Sequence, residues 1–349
     1  MGASVALPFL SHMLEPQSDT ELAQCLREAA AADRPIQLGE TISTRKLTRI
    51  LQYEPRDLTI SVEAGVLYAD LTGRLAADGL LIPLDPPWSD SVTIGGLISA
   101  NLNGPRRRLY GTARDLVIGM RFVTVDGALV DTGGMVVKNV AGLDMAKLLI
   151  GSYGTLAAIS SVNFKLIPLP KQSRTILFEY DSAREAFAQR DKVLKSILPV
   201  AALDMLNPPA SGGSWQLALR AVSAIERYGE AFPGGRDVDC EPFWKTIQEF
   251  TPKYLSAHPN ATVTRYSTTH TALPALMGSL DGPAVARAGN GVVYGYGAPL
   301  AKANYVIEHG PPGLDRWPKP GPDFALMQRV KQMLDPKGLL NKGALYGRI

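Results

Sequence analysis

Hydrophobic and polar residues alternate strictly from Leu58 to Ala64, a period of two that turns one row of side chains toward a core and predicts a half-buried strand. Upstream, Ser18-Asp19-Thr20-Glu21 has the spacing of a capping box, and Leu22, Cys25, Leu26 and Ala29 recur on one helical face; a first helix is expected there. Pro35 to Leu38 reads as a short strand entering the polar turn Gly39-Glu40-Thr41. Leu67, Leu71 and Leu75 predict a second helix, ended by Gly79. Leu116 to Val125 is rich in β-formers, and Asp126-Gly127 ahead of Ala128-Leu129-Val130 predicts a hairpin turn. Asp144 is placed to cap a helix running to Leu149, and Ala157 to Ile167 forms another strand before the break at Pro168-Leu169-Pro170.

Beyond that break the pattern changes. A strand (Ile176 to Tyr180), a helix with Phe187, Leu194 and Ile197 on one face, a strand (Trp215 to Leu219) and another helix predict an α+β sandwich. A last helix is expected from Phe324 to Leu334. The chain therefore divides into residues 1–170, a smaller α+β unit at 171–285, and a C-terminal hairpin, helix and tail at 286–349 that closes both.

Composition narrows the function. The 349 residues, 46% hydrophobic and 20% charged, supply two cores. A net charge of +3, with Arg106-Arg107-Arg108 as the one basic run, is too little for a nucleic-acid partner. Cys25 and Cys240 cannot build a disulfide framework, an iron–sulfur cluster or a four-thiolate zinc site, which fits a reducing, cytoplasmic setting. Val5 to Leu14 lacks a basic flank and is interrupted by Pro8, Ser11 and His12, so no signal peptide is expected. No apolar run reaches the roughly 18 residues of a membrane span, leaving at most peripheral membrane association through partners.

Candidate chemistry concentrates in four segments. Asp85-Pro86-Pro87 leads into Thr93-Ile94-Gly95-Gly96-Leu97-Ile98-Ser99-Ala100-Asn101-Leu102-Asn103-Gly104, where paired glycines let backbone amides approach an anion. Alone, that segment reads first as glycines in a surface turn. Gly111-Thr112-Ala113-Arg114-Asp115, Val137-Lys138-Asn139-Val140-Ala141-Gly142-Leu143-Asp144 and Gly151-Ser152-Tyr153-Gly154-Thr155-Leu156-Ala157-Ala158-Ile159 follow in order. Together they resemble the FAD-binding domain shared by vanillyl-alcohol oxidase and p-cresol methylhydroxylase, in its glycolate oxidase and D-lactate dehydrogenase branch, over roughly residues 15 to 170.

The resemblance implies a two-subdomain FAD domain of the p-cresol-methylhydroxylase (PCMH) type with a small α+β cap. It implies that Gly39 and Thr41, Pro86, Thr93, Ile94, Gly95, Gly96, Asn101 and Gly104, and Asn139, Gly154, Thr155 and Ile159 hold FAD. The first loop departs from the family pattern of Arg, three glycines and Thr: Gln37-Leu38-Gly39-Glu40-Thr41 stands there, and Glu40 would repel a pyrophosphate unless it points away. No histidine lies between His12 and His258, so non-covalent FAD is expected.

Catalytic relatives carry His-x-Gly-Asp-Gly-Asn-x-His, a metal-binding pair. Here Arg287-Ala288-Gly289-Asn290-Gly291-Val292-Val293-Tyr294 replaces both histidines, and no metal is expected. Arg287 is either a carboxylate clamp or part of a plain tight hairpin. Arg106-Arg107-Arg108 reads either as a feature near the cofactor or partner, or as a solvated turn. His258, His270 and His309 read as surface or satisfied histidines, and Trp88 and Trp244 as packing residues. Asp335-Pro336-Lys337-Gly338-Leu339-Leu340-Asn341-Lys342-Gly343 resembles the family's C-terminal ending.

A 2-hydroxy acid would then pass hydride to the flavin, with Arg114, Lys138 and Arg287 as the candidate cations for its carboxylate and no base identifiable. Electrons would leave to an iron–sulfur subunit or a quinone-linked acceptor beside a catalytic flavoprotein paralogue. The alternative is an FAD-carrying assembly subunit without substrate turnover. A third reading, an enolpyruvyl reductase, would need an NADPH-binding cap that the sequence lacks. The absence of Gly-x-Gly-x-x-Gly, Walker, His-Glu-x-x-His and Gly-x-Ser-x-Gly motifs disfavours a Rossmann dehydrogenase, a kinase, a zinc protease and an α/β-hydrolase.

Overall fold

Ser18 caps the first helix as its spacing predicts: its Oγ accepts the Glu21 amide at 3.1 Å, and the Glu21 carboxylate accepts the Gln17 amide at 2.8 Å. The computed structural model describes residues 13–135, 144–300 and 304–349. The N-terminal domain comprises α1 (Asp19–Ala31), β1 (Ile50–Glu54), β2 (Thr59–Glu63), α2 (Tyr68–Ala77), β3 (Leu80–Leu81), α3 (Ile94–Ala100), α4 (Arg107–Tyr110), α5 (Ala113–Leu116), β4 (Val117–Val123), β5 (Leu129–Gly133), α6 (Met145–Leu149), β6 (Ala158–Lys165) and β7 (Ile167–Pro168). Its main sheet runs β1-β2-β6-β4-β5, antiparallel throughout.

Three local expectations change. The strand at Pro35 to Leu38 is reduced to single bridges, Ile36 with Leu340 and Leu38 with Ile42, because the polar turn at Gly39 folds the chain back at once. β2 is buried on both faces, not one, and its polar row survives there by pairing: the Glu63 carboxylate accepts the Arg49 amide at 2.6 Å and its guanidinium at 2.8 and 3.1 Å. The paired glycines open a helix, α3, whose apolar residues Ile94, Leu97 and Ile98 are buried and whose N-cap is Thr93.

The second domain contains β8 (Arg174–Tyr180), α7 (Ala183–Lys195), β9 (Val200–Leu206), α8 (Pro208–Ser211), β10 (Trp215–Ala221), α9 (Arg227–Ala231), β11 (Arg236–Val238), α10 (Cys240–Gln248), α11 (Phe250–Ala257), β12 (Val263–Ser267), α12 (Leu273–Gly278), β13 (Ala284–Arg287), β14 (Val292–Tyr296) and β15 (Tyr305–His309). One sheet, ordered β11-β8-β10-β9-β13-β14-β12-β15, carries helices on both faces. The boundary expected at residue 285 falls inside β13, so the hairpin belongs to the cap sheet. Ile197 lies past the end of α7 and is 91% exposed, away from the face it was assigned to.

Helix α13 (Phe324–Leu334) and the tail return to the first domain. Buried Lys331 fastens them: its ammonium donates to the carbonyls of Thr155 at 2.7 Å and Leu340 at 2.8 Å and to the Asp335 carboxylate at 2.6 Å. Three acceptors for three donors leave no uncompensated proton on a buried charge.

Candidate functional site

A cleft of about 250 Å³ opens between the Leu38–Arg45 loop, the start of α3, the turn before β6 and the tail. Gly39, Thr93, Gly95, Gly96, Gly154 and Ile159 line it, six of the residues the sequence singles out. Gly39 has φ +95° with nothing within 4 Å of the place a Cβ would take, and Gly96 meets only its own N-cap hydroxyl, at 3.2 Å. Both leave bare backbone facing open space, as a close-lying ligand requires. Gly95 differs. A Cβ there would sit 2.9 Å from the Ala64 Cβ, and its amide already donates to the Ala64 carbonyl at 2.7 Å. The Ile94 amide likewise goes to Val66, and the Gly96 amide to Thr93 Oγ1 at 3.2 Å. The paired glycines therefore contribute space and close helix packing, not the free amide nest their spacing suggests.

Other expected contacts are structural. Thr41 Oγ1 accepts the Gln37 amide at 2.9 Å and shapes the first loop without lining the cleft. Glu40 is exposed and likewise off the cleft wall, where Thr44 and Arg45 stand. Ile94 is in the core, Gly104 packs its Cα side onto the Asp85 backbone, the Pro86 carbonyl accepts Gln248 Nε2 at 2.8 Å, and buried Thr155 donates to the Ser152 carbonyl at 2.7 Å. Lys138 and Asn139 lie outside the described residues.

The tail supplies a residue that sequence reading passed over. Asn341 lines the cleft, its Oδ1 accepting the Leu38 amide at 2.7 Å while its Nδ2 donates to the Tyr153 carbonyl at 2.7 Å. One side chain thus spaces the two loops that flank the cleft. The signal was present in the tail's resemblance, but only the fold reveals what it touches.

Beside the cleft, one residue on from Ser99 and one before Gly154, Ala100 and Tyr153 line a separate chamber of about 390 Å³ between the first domain and the cap. Asn101 lines it, in the left-handed region at φ +52°. So do Trp88, Arg107, Arg265, Tyr294, Glu308 and His309. The Arg265 guanidinium donates to the Glu308 carboxylate at 2.5 Å. The Trp88 ring lies 4.8 Å from that of His309, and burial holds the His309 imidazole below its usual range, so it is neutral at pH 7 with a lone pair to offer. Burial raises the Tyr294 phenol, so it remains a hydrogen-bond donor. His309 and Trp88, read as surface and packing residues, become wall residues of the chamber because β15 and the Asp85–Ser91 segment meet only in the tertiary structure.

Consecutive arginines diverge by about 100° per residue on a helical turn, and the run at 106–108 divides accordingly. Arg106 forks onto Asp85, its Nε 2.9 and 2.8 Å from the two carboxylate oxygens. Arg107 faces the chamber, and Arg108 Nη1 donates to the Gly289 carbonyl of the cap hairpin at 2.9 Å. Arg287 points elsewhere: it is buried, ion-paired to Asp204, and 5.5 Å over the Tyr294 ring from behind. Arg114 donates to the Lys147 carbonyl at 2.5 Å and lines neither cavity. Among the described residues no three His, Cys, Asp or Glu side chains cluster as metal ligands.

A cleft with bare glycine backbone beside a chamber with an aromatic and cationic wall suits a long dinucleotide with a planar ring at one end. The fold is that of a PCMH-type FAD-binding domain with an α+β cap, and the cofactor is FAD. Residues 11–133 match the model of the FAD binding domain. Over 90% of this chain and 89% of the relative, the sequence is 28% identical to glycolate oxidase subunit GlcE of Escherichia coli. It is 36% identical to glycolate oxidase subunit GlcD of Bacillus subtilis over 50% of this chain, spanning only 37% of that protein, and 35% identical to a D-lactate dehydrogenase of Anaerostipes hadrus, spanning 31% of it. Alkyldihydroxyacetonephosphate synthase shares the fold, with a TM-score of 0.69 over 94% of this chain and 75% of that one at 15% identity.

Proposed function

We propose that this chain is the FAD-carrying subunit of a glycolate oxidase-type complex that oxidises a small 2-hydroxy acid and passes the electrons to a partner. The observation that carries the reading is the chamber itself, which lies beside the FAD cleft and is walled by cations, a protonated phenol and a neutral imidazole. Similarity to subunit GlcE over nearly the whole chain supports it. FAD, when bound, supplies the two-electron acceptor. The chain's own residues position it: Gly39 and Gly96 leave room for its backbone-hugging part, Arg45 lines the cleft, and Asn341, seated against Gly154, spaces the loops. In the chamber His309 Nδ1 or Nε2 takes the hydroxyl proton, and Tyr294 donates a hydrogen bond to the same substrate.

Of the cations proposed from sequence, Arg114 and Arg287 act at a remove, through Lys147 and through Asp204 and Tyr294, and Lys138 lies outside the described residues. FAD is held non-covalently. The partners proposed are a catalytic flavoprotein paralogue and an iron–sulfur subunit. A second reading, an FAD-carrying assembly subunit without turnover, draws on one observation: Arg287 and Tyr294 stand where relatives place paired histidines, and Asp204 closes Arg287 off. The test is anaerobic mixing of glycolate or D-lactate with the chain alone and co-expressed with both partners. Slow bleaching alone and fast bleaching in the complex support the proposal. A flavin on this chain that no 2-hydroxy acid reduces in the complex leaves the assembly reading.

A further inference from the structure

We infer that Arg107 is the residue that holds a small monocarboxylate in the chamber, an assignment that rests on the 2-hydroxy-acid reading above and gives it a substrate-binding group. The charged residues of the chamber wall, among the described residues, are Arg107, Arg265 and Glu308. Glu308 is consumed by Arg265 at 2.5 Å. Just behind the wall, Arg287 is neutralised by Asp204 and Arg106 by Asp85. Among the described residues no side-chain hydrogen bond or ion pair reaches Arg107, Asp115 acts on it by charge alone, and its Nε is buried without a partner. Of the four groups whose charge acts on it, Tyr294 and Asp115 favour the cation, while Arg265 and, behind the wall, Arg287 add to its positive field. With the His309 imidazole neutral, the wall carries one net positive charge, the complement of one carboxylate.

A partly buried guanidinium left unpaired is costly, and proteins retain such a group where an anion completes it. Its planar fork presents two parallel donors to a two-oxygen anion. The fold also fixes where that fork points. Arg106 and Arg108 on either side are tied to Asp85 and to the Gly289 carbonyl, which pins the first turn of α4 and with it the direction of Arg107. A single charge, flanked by an aromatic donor in Tyr294, selects a small acid over a phosphate ester, which would bring two charges to one cation.

The probe is methoxyacetate, a monoanion shaped like glycolate but lacking the hydroxyl proton, with methoxyacetamide as its neutral counterpart. Titration of the FAD-loaded chain is followed by flavin absorbance and by the fluorescence of Trp88 and Trp317, both of which line the chamber. We expect saturable binding of methoxyacetate, weakened by salt, and none of the amide. Arg107→Met should weaken methoxyacetate roughly 10- to 100-fold, the scale of a charge-assisted hydrogen bond lost, while FAD affinity shifts by less than about threefold; Arg107→Lys should recover part of the loss. Equal binding by wild type and Arg107→Met overturns the assignment. So does a parallel loss of FAD, which would give the guanidinium to the cofactor instead. Absence of methoxyacetate binding in the wild type also overturns it, and leaves the oxidase reading to the separate reduction of the complex by glycolate or D-lactate.

Discussion

Arg287 and Asp204 face each other across adjacent antiparallel strands, β13 and β9, and form a buried ion pair behind the chamber. The arginine that occupies a metal-histidine position in the sequence pattern is thus committed to its own sheet. Burial pushes the Asp204 carboxyl up to about 6 in spite of that arginine. We take the ionised pair as the working state at neutral pH, since Arg287 donates directly to the carboxylate.

Removing one partner strands the other. Asp204→Ala should destabilise the chain by about 3–5 kcal/mol, whereas Asp204→Leu combined with Arg287→Met should recover most of that loss. Urea denaturation of the three proteins measures both. If the single variant is as stable as wild type, the pair is not buried as described.

The two glycines of α3 should separate fold from cofactor. Gly95→Val drives a branched side chain into Ala64 and should lower the melting temperature sharply. Gly96→Val projects into the cleft and should keep the fold while losing FAD. Flavin occupancy and thermal unfolding of the apo-proteins distinguish them; the reverse outcome would place the cofactor on the other side of the helix.

Asn341→Ala deletes two hydrogen bonds that space the cleft. Each is worth about 0.5–1.5 kcal/mol net, so the dissociation constant for FAD should rise by about tenfold or more with little change in secondary structure. Fluorescence quenching of free FAD on binding gives the constant directly.

Acid should loosen the joint between α4 and the Asp85 loop. Burial alone would raise the Asp85 carboxyl, but the Arg106 guanidinium outweighs it and holds the group below its ordinary value of 3.8. A depressed carboxyl contributes stability that is fully present above the ordinary value and is lost as pH falls through the folded one. Wild type should therefore lose stability below about pH 4 more steeply than Asp85→Asn, measured as melting temperature against pH.

The sequence by itself determined the elements whose signals are local. The Ser18 cap, the Asp126-Gly127 turn, the Asp144 cap and the helix from Phe324 each depend on neighbours within a few residues, and each stands where its pattern predicts. The ordered glycine motifs likewise named one wall of the cleft, since backbone that must approach a ligand admits few other residues. Only the tertiary structure decided which motif residues face ligand and which face core: Gly95 and Gly96 are adjacent in sequence and opposite in role, because one helical step turns a residue from Ala64 to open space. It alone brought Asn341 to Leu38, 303 positions away, and assembled Arg107, Tyr294 and His309 around one chamber. Those pairings are set by how two domains close on each other, and no periodicity along a chain encodes which charge a distant strand will leave without a partner.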